Sequence, residues 1–182
     1  MRWNKTSSVV RSGWQRGQRT DGFTLIELMV VLVILAISAA ILVPMASSGA
    51  SMQLRSAVNS VAADLEYAKS LAIGTGQMHG VEFFPDSESY QIQDKDGNVV
   101  SHPVNRTSYV VNFSTDGRLD RVSITSANFD GGSVVNFDYL GCPYNSNPSD
   151  GLDSEGVLTL TAGGASKTVK VEPVTGFITV SN

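Results

Sequence analysis

An α+β fold is predicted by three features of this 182-residue chain. A run patterned for helix extends from Phe23 to Ile73 with Pro44 inside it, and short alternating segments follow from residue 77 onward. Gly74-Thr75-Gly76 separates the two textures, Gly being the usual residue just past a helical end. The expected architecture is one long amino-terminal helix, apolar in its first half and amphipathic in its second, packed against a small antiparallel β-sheet domain.

The apolar half comes first. From Leu28 to Val43 the only polar side chain is Ser38, and Phe23-Thr-Leu-Ile ahead of Glu27 is nearly as apolar. About 20 such residues suffice to span a bilayer. Glu27 stands at the head of this run, and a charge at membrane depth costs roughly 2.5–3.5 kcal/mol on insertion scales, so it needs a partner. No Lys or Arg lies between Phe23 and Arg55. One partner remains: a new ammonium group, made if the chain is cut between Gly22 and Phe23.

The flanking sequence agrees. Residues 1–22 carry Arg2, Lys5, Arg11, Arg16 and Arg19 against Asp21 alone, and have no apolar stretch. A basic segment ahead of a spanning run stays cytoplasmic, so everything after the run is expected outside the cytoplasm. Cutting after Gly22 discards a polar targeting leader and leaves the apolar segment on the mature chain. A secretory signal peptide fits less well, because its apolar region is usually 7–15 residues and a Glu at its head is unusual. A plain signal anchor explains the span but leaves Glu27 without a partner, and a lipoprotein anchor is excluded because no Cys follows the run directly.

Beyond Pro44 the pattern becomes one-sided. Leu54, Val58, Val61, Leu65, Ala68 and Ala72 alternate steps of four and three, which places them on one helical face for core packing. Gln53, Ser56, Asn59, Ser60 and Lys69 occupy other faces. A continuous helix from Phe23 to Ile73 would be about 75 Å long at 1.5 Å per residue, with a kink expected at Pro44. Strands are expected at His79–Phe83, Tyr90–Gln93, Tyr109–Phe113, Arg121–Thr125, Val134–Tyr139, Val157–Thr161, Thr168–Val171 and Phe177–Val180. Asp96-Gly97, Gly163-Gly164 and Pro173–Gly176 supply turns. The expected division is therefore a leader at 1–22, a spanning helix at 23–44, an amphipathic helix at 45–74 and one β domain at 75–182.

Catalytic chemistry finds little to use. His79, His102 and Cys142 are the only residues of their types, and no nucleophile elbow or metal-ligand spacing accompanies them. No catalytic residue, metal or cofactor is expected, and Cys142 beside Pro143 reads as a packed side chain. Asp94-Lys-Asp96-Gly97-Asn98 starts like a calcium loop, but its twelfth position is Asn105 rather than Glu, so a hairpin turn is the better account. The acidic stretch Asn145–Glu155 is read as a solvated loop.

Gly22-Phe23-Thr24-Leu25-Ile26-Glu27-Leu28-Met29-Val30-Val31 resembles the leader junction of type IV pilins and type II secretion pseudopilins. That resemblance implies cleavage between Gly22 and Phe23 by a prepilin peptidase, N-methylation of Phe23, and docking of subunits through Glu27. Pro44 matches the position where these proteins carry a helix-loosening Pro. Leu65-Glu-Tyr67-Ala-Lys69-Ser-Leu71-Ala, Phe113-Ser-Thr-Asp-Gly117, Leu140-Gly-Cys142-Pro143 and Val174–Val180 are similar to H-type minor pseudopilins and T-type fimbrial minor pilins. The implied role is a non-catalytic filament subunit, single-pass in the bacterial inner membrane with its carboxyl-terminal domain in the periplasm. Its implied partners are other pilins or pseudopilins, met through the amino-terminal helix, and an inner-membrane assembly platform. The alternative within the same resemblance is a tip-located binding module for DNA uptake or adhesion. Losing residues 1–22 leaves 8 basic against 16 acidic residues, a net charge of −8. DNA binding needs a clustered basic surface, so nucleic acid is not an expected partner.

Overall fold

The computed structural model describes residues 22–181, with the side chains of residues 40–48 outside that description. The leader up to Asp21 and the kink expected at Pro44 therefore lie outside the described residues. The first element, α1, spans Leu25–Thr75. Thr24 caps its start: the Glu27 amide donates to Thr24 Oγ1 at 3.2 Å, and the Leu28 amide donates to the Thr24 carbonyl at 3.1 Å. Its end lies two residues beyond the expected Ile73. Gly74 remains helical, and the chain turns out at Gly76, whose φ of 67° is a left-handed conformation that favours glycine.

By its internal contacts the chain divides into two compact units, Met1–Ile41 and Leu42–Asn182. The described part of the first is the apolar start of α1. The second holds the rest of α1 and nine strands. These are β1 (His79–Phe84), β2 (Ser89–Asp94), β3 (Val110–Asn112), β4 (Ser123–Asn128), β5 (Val134–Phe137), β6 (Pro143–Tyr144), β7 (Gly156–Ala162), β8 (Ala165–Val171) and β9 (Ile178–Ser181).

The strands form two antiparallel sheets rather than a single one. One has the order β3-β2-β1-β5-β6, the other β4-β7-β8-β9. The chain leaves the first sheet after β3, places β4 in the second, returns for β5 and β6, and crosses again for β7 to β9. One apolar core joins all three parts. Leu54, Val58, Val61, Leu65, Ala68 and Ala72 are all fully buried, as their spacing predicts, and Ala50 and Ala57 extend the same stripe. Facing them are Val81, Phe83, Tyr90 and Ile92 from the first sheet and Leu158, Leu160, Val169 and Val171 from the second. Phe83 stacks on Phe129 at 5.7 Å between ring centres, and Phe113 meets Tyr90 edge-on at 5.9 Å. A β-carbon at Gly156 would lie 2.3 Å from the Phe129 ring, so only glycine fits there.

The turns follow the residues that the geometry demands. Gly163 and Gly164, both with positive φ, join β7 to β8 across a two-residue loop. After β2, the Gly97 amide returns to the Asp94 carbonyl, and Val99 then pairs with Gln93 as an isolated bridge rather than a full strand. β4 begins at Ser123 instead of Arg121 and carries a register shift between Ile124 and Ser126. β6 was not foreseeable, because two residues carry no alternation.

Candidate functional site

The amino-terminal segment is apolar on every face and covered on none. Each large apolar side chain from Leu25 to Ile37 is between 47% and 77% exposed, and Phe23 reaches 82%. A helix that is hydrophobic all round belongs in a core or in lipid, so this surface needs an apolar environment that its own unit does not supply. Its two hydroxyls are both bonded within the helix: Ser38 Oγ donates to the Ile34 carbonyl at 2.8 Å, and Thr24 Oγ1 accepts from the Glu27 amide. Among the described residues no helix is long and apolar enough to cross a membrane. The stretch whose side chains are described stops at Ala39, short of the roughly 20 residues required.

Glu27 lies in the first turn, three residues after the capping Thr24. Thr24-Leu-Ile-Glu27 has the Thr-x-x-Glu pattern of a capping box, of which the structure shows the half made by the Thr24 hydroxyl. A carboxylate here also complements the positive end of the helix dipole. Among the described residues Glu27 makes no ion pair.

The second unit brings together groups that sequence spacing did not associate. Asp64, on the α1 face beside the buried stripe, accepts hydrogen bonds from Tyr90 Oη at 2.6 Å and Tyr109 Oη at 2.8 Å. His102 stacks on Tyr109 at 4.5 Å, and Tyr67 stacks on the same ring at 5.6 Å. Ser56, Ser60, Asp64, His102, Asp116 and Arg118 help to line a cavity of about 240 Å³. Burial pushes the Asp64 carboxyl up from its ordinary value, against the opposing pull of the two tyrosyl hydroxyls. Burial, together with the Asp64 carboxylate, also pushes both tyrosines up.

This collection does not make a hydrolytic relay. His102 Nδ1 accepts from the Val104 and Asn105 amides at 3.1 and 3.3 Å, which leaves the ring proton on Nε2 and gives Asp64 no part in orienting the imidazole. The Asp64 oxygens are occupied by tyrosines instead. The arrangement ties α1 to β2 and to the segment leading into β3.

The remaining candidates are likewise used internally. Asp94 accepts from the Asp96 and Asn98 amides, both at 2.9 Å, which holds its carboxyl below the usual range and makes an Asx turn rather than an ion loop. In the 145–155 loop, Asn145 and Asn147 cap the amides two residues ahead. Asp130 gathers the Asp153 and Ser154 amides, and Glu155 pairs with Lys170 at 2.7 Å. Cys142 is half-buried, with its thiol pushed up by desolvation and by Asp138, which suits a packed residue and not a nucleophile. His79 is buried and bonds to the Gln77 carbonyl at 3.0 Å. Lys69 pairs with Glu66, Lys95 with Asp96, Arg118 with Asp116 and Lys170 with Glu155, so four of the eight basic side chains after residue 22 are tied to carboxylates.

The family model of the prokaryotic N-terminal methylation motif matches residues 18–43, which include Gly22, Phe23 and Glu27. The chain carries that motif. Among solved structures, the type IV minor pilin FimU of Pseudomonas aeruginosa superposes with a TM-score of 0.50 at 14% identity, covering 72% of this chain and 90% of FimU. The minor pseudopilin EpsH from the type 2 secretion system of Vibrio cholerae gives 0.49 at 12% identity, covering 70% of this chain and 95% of EpsH. No curated protein matches significantly by sequence. The α+β fold with its helix on antiparallel sheets is thus minor-pilin-like.

Within this minor-pilin-like fold, Gly22, Phe23 and Glu27 are gathered at one helix start, where their spacing put them. The Asp64 cluster escaped the sequence reading because its members are up to 45 residues apart. The available signal was a lone Asp beside an otherwise apolar helical stripe.

Proposed function

We propose that this chain is a minor pilin or pseudopilin, a non-catalytic structural subunit of a type II secretion or type IV pilus-like filament. The observation that carries the reading is a methylation motif heading a helix whose apolar side chains are exposed on all sides. Residues 1–22 act as a leader removed by a prepilin peptidase, after which Phe23 is methylated on its new amine. Residues 23–44 hold the subunit in the inner membrane before assembly and in the filament core afterwards, with Pro44 loosening the helix. Residues 45–74 fasten the helix to a periplasmic β domain at 75–182. An inner-membrane assembly platform and other pilins are the partners.

Glu27 docks on the amine of a neighbouring subunit's Phe23. Two groups that are costly alone in oil become a pair, and removing one strands the other at several kcal/mol. Glu27→Val is therefore expected to abolish entry into filaments while leaving the protein in the membrane fraction. Normal filament incorporation by that variant overturns the docking role. Mass spectrometry of the mature amino terminus tests processing separately, the expected species beginning at methylated Phe23.

A further inference from the structure

A strand at the end of a sheet leaves half of its backbone groups without a partner strand, and folded proteins blunt such edges against stray pairing. Among the described residues the two sheets end in β3, β6, β4 and β9, and all but β9 are blunted. β3 is three residues long. β6 begins with Pro143 and is covered by its own loop, where the Leu152 amide donates to the Pro143 carbonyl at 3.0 Å and Tyr144 bridges to Gly151. β4 breaks register between Ile124 and Ser126, and the Glu88 carboxylate takes the Ile124 amide. β9 has none of these devices. It pairs with β8 without a shift, and residues 177–181 include no Pro and no charge. The Glu172 amide donates to the Phe177 carbonyl at 2.9 Å, which fixes the alternation of the ladder. The groups of Thr179 and Ser181 then point at β8, and those of Ile178 and Val180 point outward. Ile178 and Val180 lie opposite Val171 and Val169, both fully buried, so all four side chains share the core-facing side. There the apolar row runs out half-covered: Val180 is 44% exposed.

We infer that this edge is an interface between two copies of the chain, joined β9 to β9 in antiparallel about a two-fold axis at Thr179. That register sets each Ile178 opposite the other copy's Val180. Outward groups then meet outward groups, and each pair exchanges both of its N–H···O bonds. The apolar row also continues from one copy into the next. A slip of one residue would oppose open groups to bonded ones and turn the apolar row to the wrong face. No like charges face each other within the strand pair, and the blunted edges offer a second copy no other strand to meet it with. The two-fold closes the contact, so it stops at two chains and covers the edge otherwise open to aggregation. A strand this short buries less than the roughly 1,200 Å² of a standard interface, which makes the pair weak and dependent on local concentration. The inference goes beyond the filament-subunit reading and does not need it.

Disulfide trapping of the purified full chain in detergent micelles tests this, in a Cys142→Ala background that removes the native thiol. Thr179→Cys places two thiols at a non-hydrogen-bonded pair with Cα atoms about 4.5 Å apart, inside the roughly 4.4–6.8 Å that a disulfide bridges. Thr125→Cys, on the blunted β4 edge, controls for random encounter and for contacts made through the apolar helix. Covalent dimer is expected to form about tenfold faster at position 179 than at 125. Adding Val180→Pro, which deletes an outward amide and no bond to β8, is expected to abolish that advantage. Val180→Lys, which keeps every amide and adds the charge that blunts natural edges, is expected to do the same. Thermal melting of each variant checks that the domain remains folded. Equal rates at 179 and 125 overturn the inference and leave the edge to a strand from another protein. An advantage at 179 that survives either Val180 substitution in a folded chain overturns it as well.

Discussion

One helix serves two opposite purposes along its length. In the first unit, Leu25 to Ile37 present apolar side chains that no described residue of that unit covers. In the second, the same element alternates a fully buried stripe, Leu54 to Ala72, with exposed Arg55, Asn59 and Ser70. Helical geometry is common to both, so helix propensity does not distinguish them. What differs is the cover: the sheets of the same chain bury one face of the second half, whereas the described residues leave the first half exposed.

The sharpest way to break that contrast is a matched pair of truncations. Leu65→Ala removes a fully buried side chain and is expected to cost about 2–5 kcal/mol in urea unfolding of the β domain. Leu32→Ala, 58% exposed, is expected to change the same measurement by less than about 0.5 kcal/mol. Equal effects would mean that the two halves are stabilised alike. Next in size, Asp64→Ala strands the hydroxyls of Tyr90 and Tyr109 in the part-buried clasp that ties α1 to β2 and to the segment before β3, at about 2–4 kcal/mol. Tyr109→Phe, which leaves the Tyr90 bond in place, should cost clearly less.

The smallest effect is one of sign. The folded-state pKa of Asp64 is raised by burial, so its contribution is fully present below the unfolded value of about 3.9 and is lost as pH climbs through the folded value. Asp94, Asp116 and Asp130, held low by hydrogen bonds, act in the opposite sense and lose their contribution as pH falls. Urea midpoints from pH 3 to pH 7 should therefore show the advantage of wild type over Asp64→Asn shrinking as pH rises. A constant gap would show that Asp64 does not change its charge in that range.

Much of this was legible in the residues because local rules governed it. The stripe at Leu54, Val58, Val61, Leu65, Ala68 and Ala72 needs only the 3.6-residue period, and the Gly163-Gly164 hairpin needs only two positions of positive φ. The division of the strands into two sheets was not legible. β4 and β5 lie close in sequence and differ little in pattern, and their assignment to separate sheets depends on which partner each finds across the core. The same holds for the Asp64 clasp, where residues 64, 90 and 109 meet only after the sheets have formed around the helix. Glu27 is the converse case. Its sequence context marked it strongly, and the structure adds only its place in the first turn, where its backbone amide donates to the capping Thr24.

The weaving of the chain between sheets has a mechanical corollary. Because β4 belongs to one layer while β3 and β5 on either side of it belong to the other, neither layer can be peeled away as an intact ribbon. A chain cut anywhere between Asn128 and Val134 would lose strands from both layers at once, since β5 and β6 go with β7, β8 and β9. Separating the two layers therefore pulls on the chain crossings from β3 to β4, from β4 to β5 and from β6 to β7, so that neither sheet can give way without drawing on the other.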